Sequence, residues 1–213
     1  MTEKGAFDFF GRYNNAIWPM QVVVYVLALV AVYLAFKKYK SSDRIIAAVL
    51  AIFWLWNGIM FFFPIGGSNV MWYVGAALFS IQGILFLIGA AKPNVSYRIG
   101  TDIYSLTGIV LILYGLIGSP LVGALVGHLY PRMALVGLFP CPLITFTFGL
   151  LLCTDKVPKY LLVVPFLWGL LSALPPYFGN WEDVVMVVGS FLATAMLIYR
   201  ERKVMVGTAP HPA

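Results

Sequence analysis

Apolar residues along this chain gather into seven runs of sixteen to twenty positions, at 17–36, 45–63, 71–90, 100–118, 135–153, 159–174 and 182–199, separated by short polar breaks. Each run approaches the ~20 residues that cross a hydrocarbon core ~30 Å thick at ~1.5 Å per residue. The pattern predicts an all-α polytopic membrane protein with seven transmembrane helices. No break is long enough for a soluble domain. The domains read as an interfacial N-terminal segment at 1–16, a transmembrane bundle at 17–199 and a tail at 200–213. The segment AFDFFGRYNNAIWP intersperses Phe7, Phe9, Phe10 and Tyr13 with polar residues, as suits a piece resting on the outer leaflet. Glu3, Lys4, Asp8 and Arg12 break up any basic region followed by a short apolar core, which argues against a cleaved signal peptide.

Composition sharpens this picture. Hydrophobic residues make up 62% of the chain and charged ones only 10%, against ~25% charged in a soluble domain. Eleven of the 14 lysines and arginines lie in the breaks after runs one, three, five and seven: Lys37, Lys38, Lys40, Arg44, Lys92, Arg98, Lys156, Lys159, Arg200, Arg202 and Lys203. Cytoplasmic loops retain positive charge, so the N-terminus is expected outside and the C-terminus inside a bacterial or archaeal cytoplasmic membrane. The net charge of +6 thereby reflects topology, and no nucleic-acid partner is implied. The expected partner is the lipid bilayer, with a homo-oligomer or a larger membrane complex open. Cys141 and Cys153 are twelve residues apart in one run, about 18 Å along a helix and beyond disulfide reach.

Candidate chemistry is neutral. No Lys, Arg, Asp, Glu or His lies deep in a run, which disfavours a carboxylate proton relay, a retinal Schiff base and a bis-histidine haem. No hydrolase or nucleotide-binding motif appears; no enzyme, cofactor or metal is expected, and Met133 and His128 are the only helpers Cys141 would have as a metal ligand. Asn57, Ser80, Gln82, Tyr114, Thr145, Thr147 and Ser172 need partners in hydrocarbon, and serve either as helix–helix glue or as the lining of a path for a polar solute. Trp54, Trp56 and Trp168 would stack on such a solute or pack against helices. Asp102 reads as an i,i+4 partner of Arg98 and a first-turn acid; Asn180 reads as an N-cap followed by Glu182 and Asp183.

The segment 118–133 is too apolar for a free outer loop and too short to cross twice, so a re-entrant or interfacial piece is expected to bring His128, Tyr130 and Arg132 to an external mouth. Pro140 and Pro142 remove backbone donors within 135–153 and are expected to break that helix, either as a gate with Cys141 turned to the path or as a packing kink. Leu55-Trp56, Pro64 and Gly67 recur as Leu167-Trp168, Pro176 and Gly179 at a constant offset of 112. This suggests parallel repeats at 17–90 and 135–199 joined by a linker helix at 100–118.

The strings F-G-R-Y-N-N-A-I-W-P-M-Q at 10–21 and L-F-P-C-P-L-I-T-F at 138–146 resemble a bacterial and archaeal family of small integral membrane proteins that carries only a domain-of-unknown-function label. That resemblance implies membrane class and no activity. The three-one-three order looks like the SWEET and nicotinamide riboside carriers, although Pro19-Met20-Gln21 only approximates their proline–glutamine motif. The sequence thus supports two functions. One is a facilitative carrier of a small neutral solute, with Trp56, Asn57, Gln82, Cys141, Thr145 and Trp168 lining its path. The other is a non-catalytic accessory or assembly subunit of a larger membrane complex, docking through exposed aromatics such as Phe61, Phe62 and Phe63.

Overall fold

The computed structural model describes residues 3–65, 70–174 and 181–207. The described residues form eight helices and no strand. Helix α1 (Glu3–Ala16) turns through 88° into α2 (Met20–Phe36), because Pro19 between them has no N–H to continue a helical ladder. Helix α3 (Ser42–Trp56) continues through a π-helical turn, Asn57–Phe62, to Phe63–Ile65, and α4 spans Val70–Ala91. Helix α5 runs Ile103–Leu113, widens into a π turn at Tyr114–Gly118 and ends with Ser119–Leu125. Helices α6 (Pro140–Leu152), α7 (Tyr160–Ser172) and α8 (Trp181–Gly207) complete the chain. Gly67, Pro176, Gly179, Asn180 and residues 208–213 lie outside the described residues, as does the side chain of Glu182.

Four stretches are long and apolar enough to cross a membrane: Ser42–Phe62, Val70–Ala91, Ile103–Leu125 and Asp183–Lys203; the bent α1–α2 pair would make a fifth. This is fewer than the seven full-length helices expected. Helices α6 and α7 have only 13 residues each, about 20 Å. In the 135–153 run, residues 135–139 form a turn, Gly137 takes a positive φ of 76° with the Phe53 ring where a Cβ would sit, and Phe139 is extended. Pro140 and Pro142 therefore stand in the first turn of α6, where a missing N–H needs no helical partner, rather than interrupting a helix already under way. In the 118–133 segment the first half is helical, as the end of α5, and only the remainder is loop.

Helix α6 is enclosed: every residue from Pro142 to Leu152 is buried, with α5, α8, α3 and α7 around it. Its closest neighbour is α5. A Cβ on Gly108 would fall 2.6 Å from the Gly149 carbonyl oxygen, and one on Gly149 would fall 2.7 Å from that of Gly108, so two backbones touch there. The outward faces carry large apolar side chains, among them Val26 and Leu29 on α2, Ile84 and Leu87 on α4, Val110 and Leu113 on α5 and Val188 on α8. Apolar exposure on this scale is rare on soluble monomers and is compatible with a membrane protein.

Prolines set much of the local geometry. Each π turn ends two residues before a proline, Pro64 or Pro120, and widening the helix there carries the chain past the ring. Pro120 cannot donate to the Leu116 carbonyl four residues back; the Tyr25 hydroxyl on α2 donates to it instead, at 2.9 Å. Pro165 inside α7 likewise orphans the Leu161 carbonyl, and the Gln82 amide on α4 donates to it at 3.1 Å. In an apolar surrounding such a carbonyl needs a donor, and a neighbouring helix provides it.

The basic breaks converge at one end. Asp43 accepts from Lys38 at 2.6 Å and from the Tyr97 N–H at 2.8 Å, joining the 37–41 and 92–102 loops. The Arg98 N–H donates to the Cys153 carbonyl at 2.6 Å, and Arg200 reaches the Leu152 carbonyl and Thr154. Asp102 caps α5 through the N–H groups of Tyr104 and Ser105 and the Ser105 hydroxyl. Partial burial opposes its ionisation, but those three donors outweigh it and lower its pKa. Residues before Asp102 are not helical, so the expected i,i+4 pairing with Arg98 has no helix to carry it. Of the proposed repeat, Trp56 meets Tyr13 of α1 whereas Trp168 meets Phe62 and Phe79, so the two tryptophans have different neighbours.

Candidate functional site

The opposite end is built from α1, the π turn of α3, the 126–139 loop and the start of α6. Helix α1 is amphipathic: Phe7, Tyr13 and Asn14 are buried, while Arg12 and Asn15 are exposed. Phe10 and Tyr13 pack edge-on against Phe139 with centroids 4.7 and 5.5 Å away, and Phe61 sits 5.4 Å from Tyr13 and 5.3 Å from Phe139. The Trp56 indole N–H donates to the Tyr13 hydroxyl at 2.7 Å, binding α3 to α1.

Asn14 is the polar tie. Fully buried, its amide donates to the carbonyls of Pro131 at 2.6 Å and Met133 at 2.9 Å, which sit in irregular backbone without helical donors. Gln21, past the bend, donates to the Asn14 carbonyl at 2.6 Å. Asp8 pairs with Arg132 at 3.0 Å, and Phe7 stacks on His128 with ring centroids 3.4 Å apart. The strings at 10–21 and 138–146, far apart in sequence, thus form one structure.

Between α1 and the loop lies an open cleft of about 660 Å³ lined by Asp8, Arg12, Asn15, Tyr130 and Arg132, with Gly11 at its floor. Arg12 has no ion-pair partner among the described residues, so the cleft offers a free guanidinium, a phenol and an amide to a polar or anionic group. His128, Tyr130 and Arg132 do come together at this end. Cys141, in the first turn of α6, lines a cavity of about 40 Å³ with Phe7, Phe10, Ser119 and Asp183, beneath α1.

The remaining sequence candidates are dispersed. Asn57 donates to the carbonyls of Phe53 and Gly137, Gln82 to Leu161, and Thr145 to Cys141 in its own helix. Trp168 packs on Phe62 and Phe79, and Trp56 belongs to the α1 seam. Asn14, Gln21 and Tyr25 are not marked by any motif; the signal that points to the first two is a pair of amides seven positions apart across Trp18-Pro19, at the edge of an apolar run.

The Gln82–Pro165 pairing is testable by a double-mutant cycle. Gln82→Leu leaves a buried carbonyl without a donor and is expected to cost roughly 1–3 kcal/mol. In a Pro165→Ala background the restored Ala N–H can bond Leu161, so the same change should cost distinctly less. Equal costs in both backgrounds, measured by unfolding in detergent, would sever the link.

No curated protein and no solved structure matches the chain. A family model described as a family of unknown function, DUF6064, matches residues 4–207, so the chain belongs to the DUF6064 family.

Proposed function

We propose that the chain is a multi-pass integral membrane protein acting as a non-catalytic accessory subunit of a larger membrane complex, with the α1 cleft as its recognition surface. In this reading α2 to α8 make seven passages, the short α6 being tolerated because protein surrounds it, and positive charge retention places the α1 end outside and the C-terminus inside. One observation carries it: the amide N–H groups of Asn14, Asn57 and Gln82 are spent on carbonyls inside the protein, whereas the guanidinium of Arg12, the phenol of Tyr130 and the amide of Asn15 share the open cleft. The chain solubilised gently from native membranes should run in an assembly larger than its own oligomers, and Arg12→Glu with Tyr130→Ala should release it. A thiol placed at Arg12 should react with an impermeant reagent on intact cells and one at Lys40 should not; the reverse pattern would invert the orientation.

The carrier reading has its own support, since Asn57 Oδ1 and Gln82 Oε1 are buried without donors. A neutral solute rich in N–H or O–H groups that reached either oxygen would supply the donor it lacks. Saturable uptake of such a solute by vesicles holding the purified chain alone, abolished by Asn57→Leu, would replace the accessory reading with this one.

A further inference from the structure

At the basic end, a groove of about 440 Å³ lies between α7 and α8. Its walls are apolar, from Val163 and Phe166 on α7 and Ile198 on α8, and its rim carries Lys159, Arg202 and Glu201. Neither Lys159 nor Arg202 has a carboxylate partner among the described residues, and both are exposed. The groove runs from Lys159 to Phe166 along one wall and from Arg202 to Thr194 along the other, seven to eight residues, or roughly 10–12 Å.

We propose that this groove is a binding site for one anionic phospholipid, its phosphate held between Lys159 and Arg202 and an acyl chain laid along Val163, Phe166 and Ile198. The inference rests on the membrane reading above. Charge and shape select the occupant. A cationic rim over a narrow apolar trough, on the end that collects eleven of the 14 basic residues, matches an anionic head joined to a chain. Glu201 lowers the rim's net charge to +1, which still disfavours a purely cationic ligand, and it can accept a hydrogen bond from a glycerol hydroxyl in the head. A soluble anion would meet the rim but have nothing to fill the trough.

The test uses delipidated full-length protein inserted into phosphatidylcholine vesicles with rising fractions of phosphatidylglycerol, and reads lipids co-purified after gentle extraction. The wild type should retain phosphatidylglycerol over phosphatidylcholine. Lys159→Gln and Arg202→Gln should each weaken retention about fivefold, and about 30-fold together. Val163→Trp should block the trough without altering charge, whereas Lys92→Gln, outside the groove at the same end, should change little. Free inorganic phosphate in excess should not displace the lipid; displacement would assign the rim to a soluble anion and overturn the site. Equal retention of both lipids, or a double variant that behaves as wild type, would also overturn it. Protein that floats with vesicles but shows no preference sinks the site alone, whereas protein that fails to float contradicts the membrane reading as well.

Discussion

Gly149→Val is expected to destabilise the protein more than any surface change, by about 3 kcal/mol or more. The cause is backbone contact. A Cβ at 149 would lie 2.7 Å from the Gly108 carbonyl oxygen and 2.8 Å from the Ile112 nitrogen, and neither can rotate away as a side chain would. Ordinary overpacking costs ~1–3 kcal/mol when neighbours can shift. Here α5 and α6 must separate, and α6, enclosed on every side, has nowhere to go. Gly89→Ala is the matched control, since its added Cβ would meet only Asn94 at 3.7 Å. Unfolding midpoints in detergent should fall sharply for the first and hold or rise for the second; similar midpoints would mean that the crossing is looser than described.

Asn14→Asp should free α1 while changing almost no volume. The substitution replaces the two-hydrogen amide with a carboxyl facing the carbonyl oxygens of Pro131 and Met133, which repels both when ionised and can donate to only one when protonated. Each half-buried carbonyl that loses its donor costs roughly 1 kcal/mol or more, and Asn14→Leu should be similarly damaging by the same route. The loss is local: amide exchange should accelerate in residues 3–16 and 126–139, Cys141 should become reactive as Phe7 and Phe10 lift, and α3–α4 should stay protected. Unchanged exchange in α1 would show that the aromatic contacts hold the helix without Asn14.

Much of this architecture could be read from the chain, and what could not has identifiable causes. Hydropathy located α3, α4, α5 and α8 because each is both long and apolar. It overextended α6, because an apolar stretch looks the same whether lipid or protein surrounds it. Pro140 and Pro142 break a helix only if 135–153 is one helix; the informative residue is Gly137, whose positive φ belongs to the turn before them. The need of Asn57 and Gln82 for partners was legible, since an amide in an apolar run must bond something. Which carbonyl each would meet was not, because the Leu161 carbonyl is orphaned by a proline on a different helix. The apolar character of 118–133 reflects two different structures, the end of α5 up to Leu125 and the loop that carries His128, Tyr130 and Arg132. That α1 would cover them depends on a bend at Pro19 whose direction no local pattern encodes.

Helix α1 docks on the 126–139 loop and on Phe139 at the start of α6, joining the two marked strings in one surface. Gly11→Cys with Arg132→Cys, in a Cys141→Ser, Cys153→Ser background, measures that docking. A Cβ on Gly11 would lie 3.2 Å from Arg132 Cγ, which brings the two Cβ atoms near the ~3.5–4.5 Å that a disulfide requires. Loss of the exposed Asp8–Arg132 pair should itself cost little. In native membranes the pair should oxidise rapidly and completely under mild conditions, seen as loss of both thiols to a later maleimide under denaturing conditions. Two thiols that stay reduced and label freely would place α1 away from the loop, and the proposed surface would not exist.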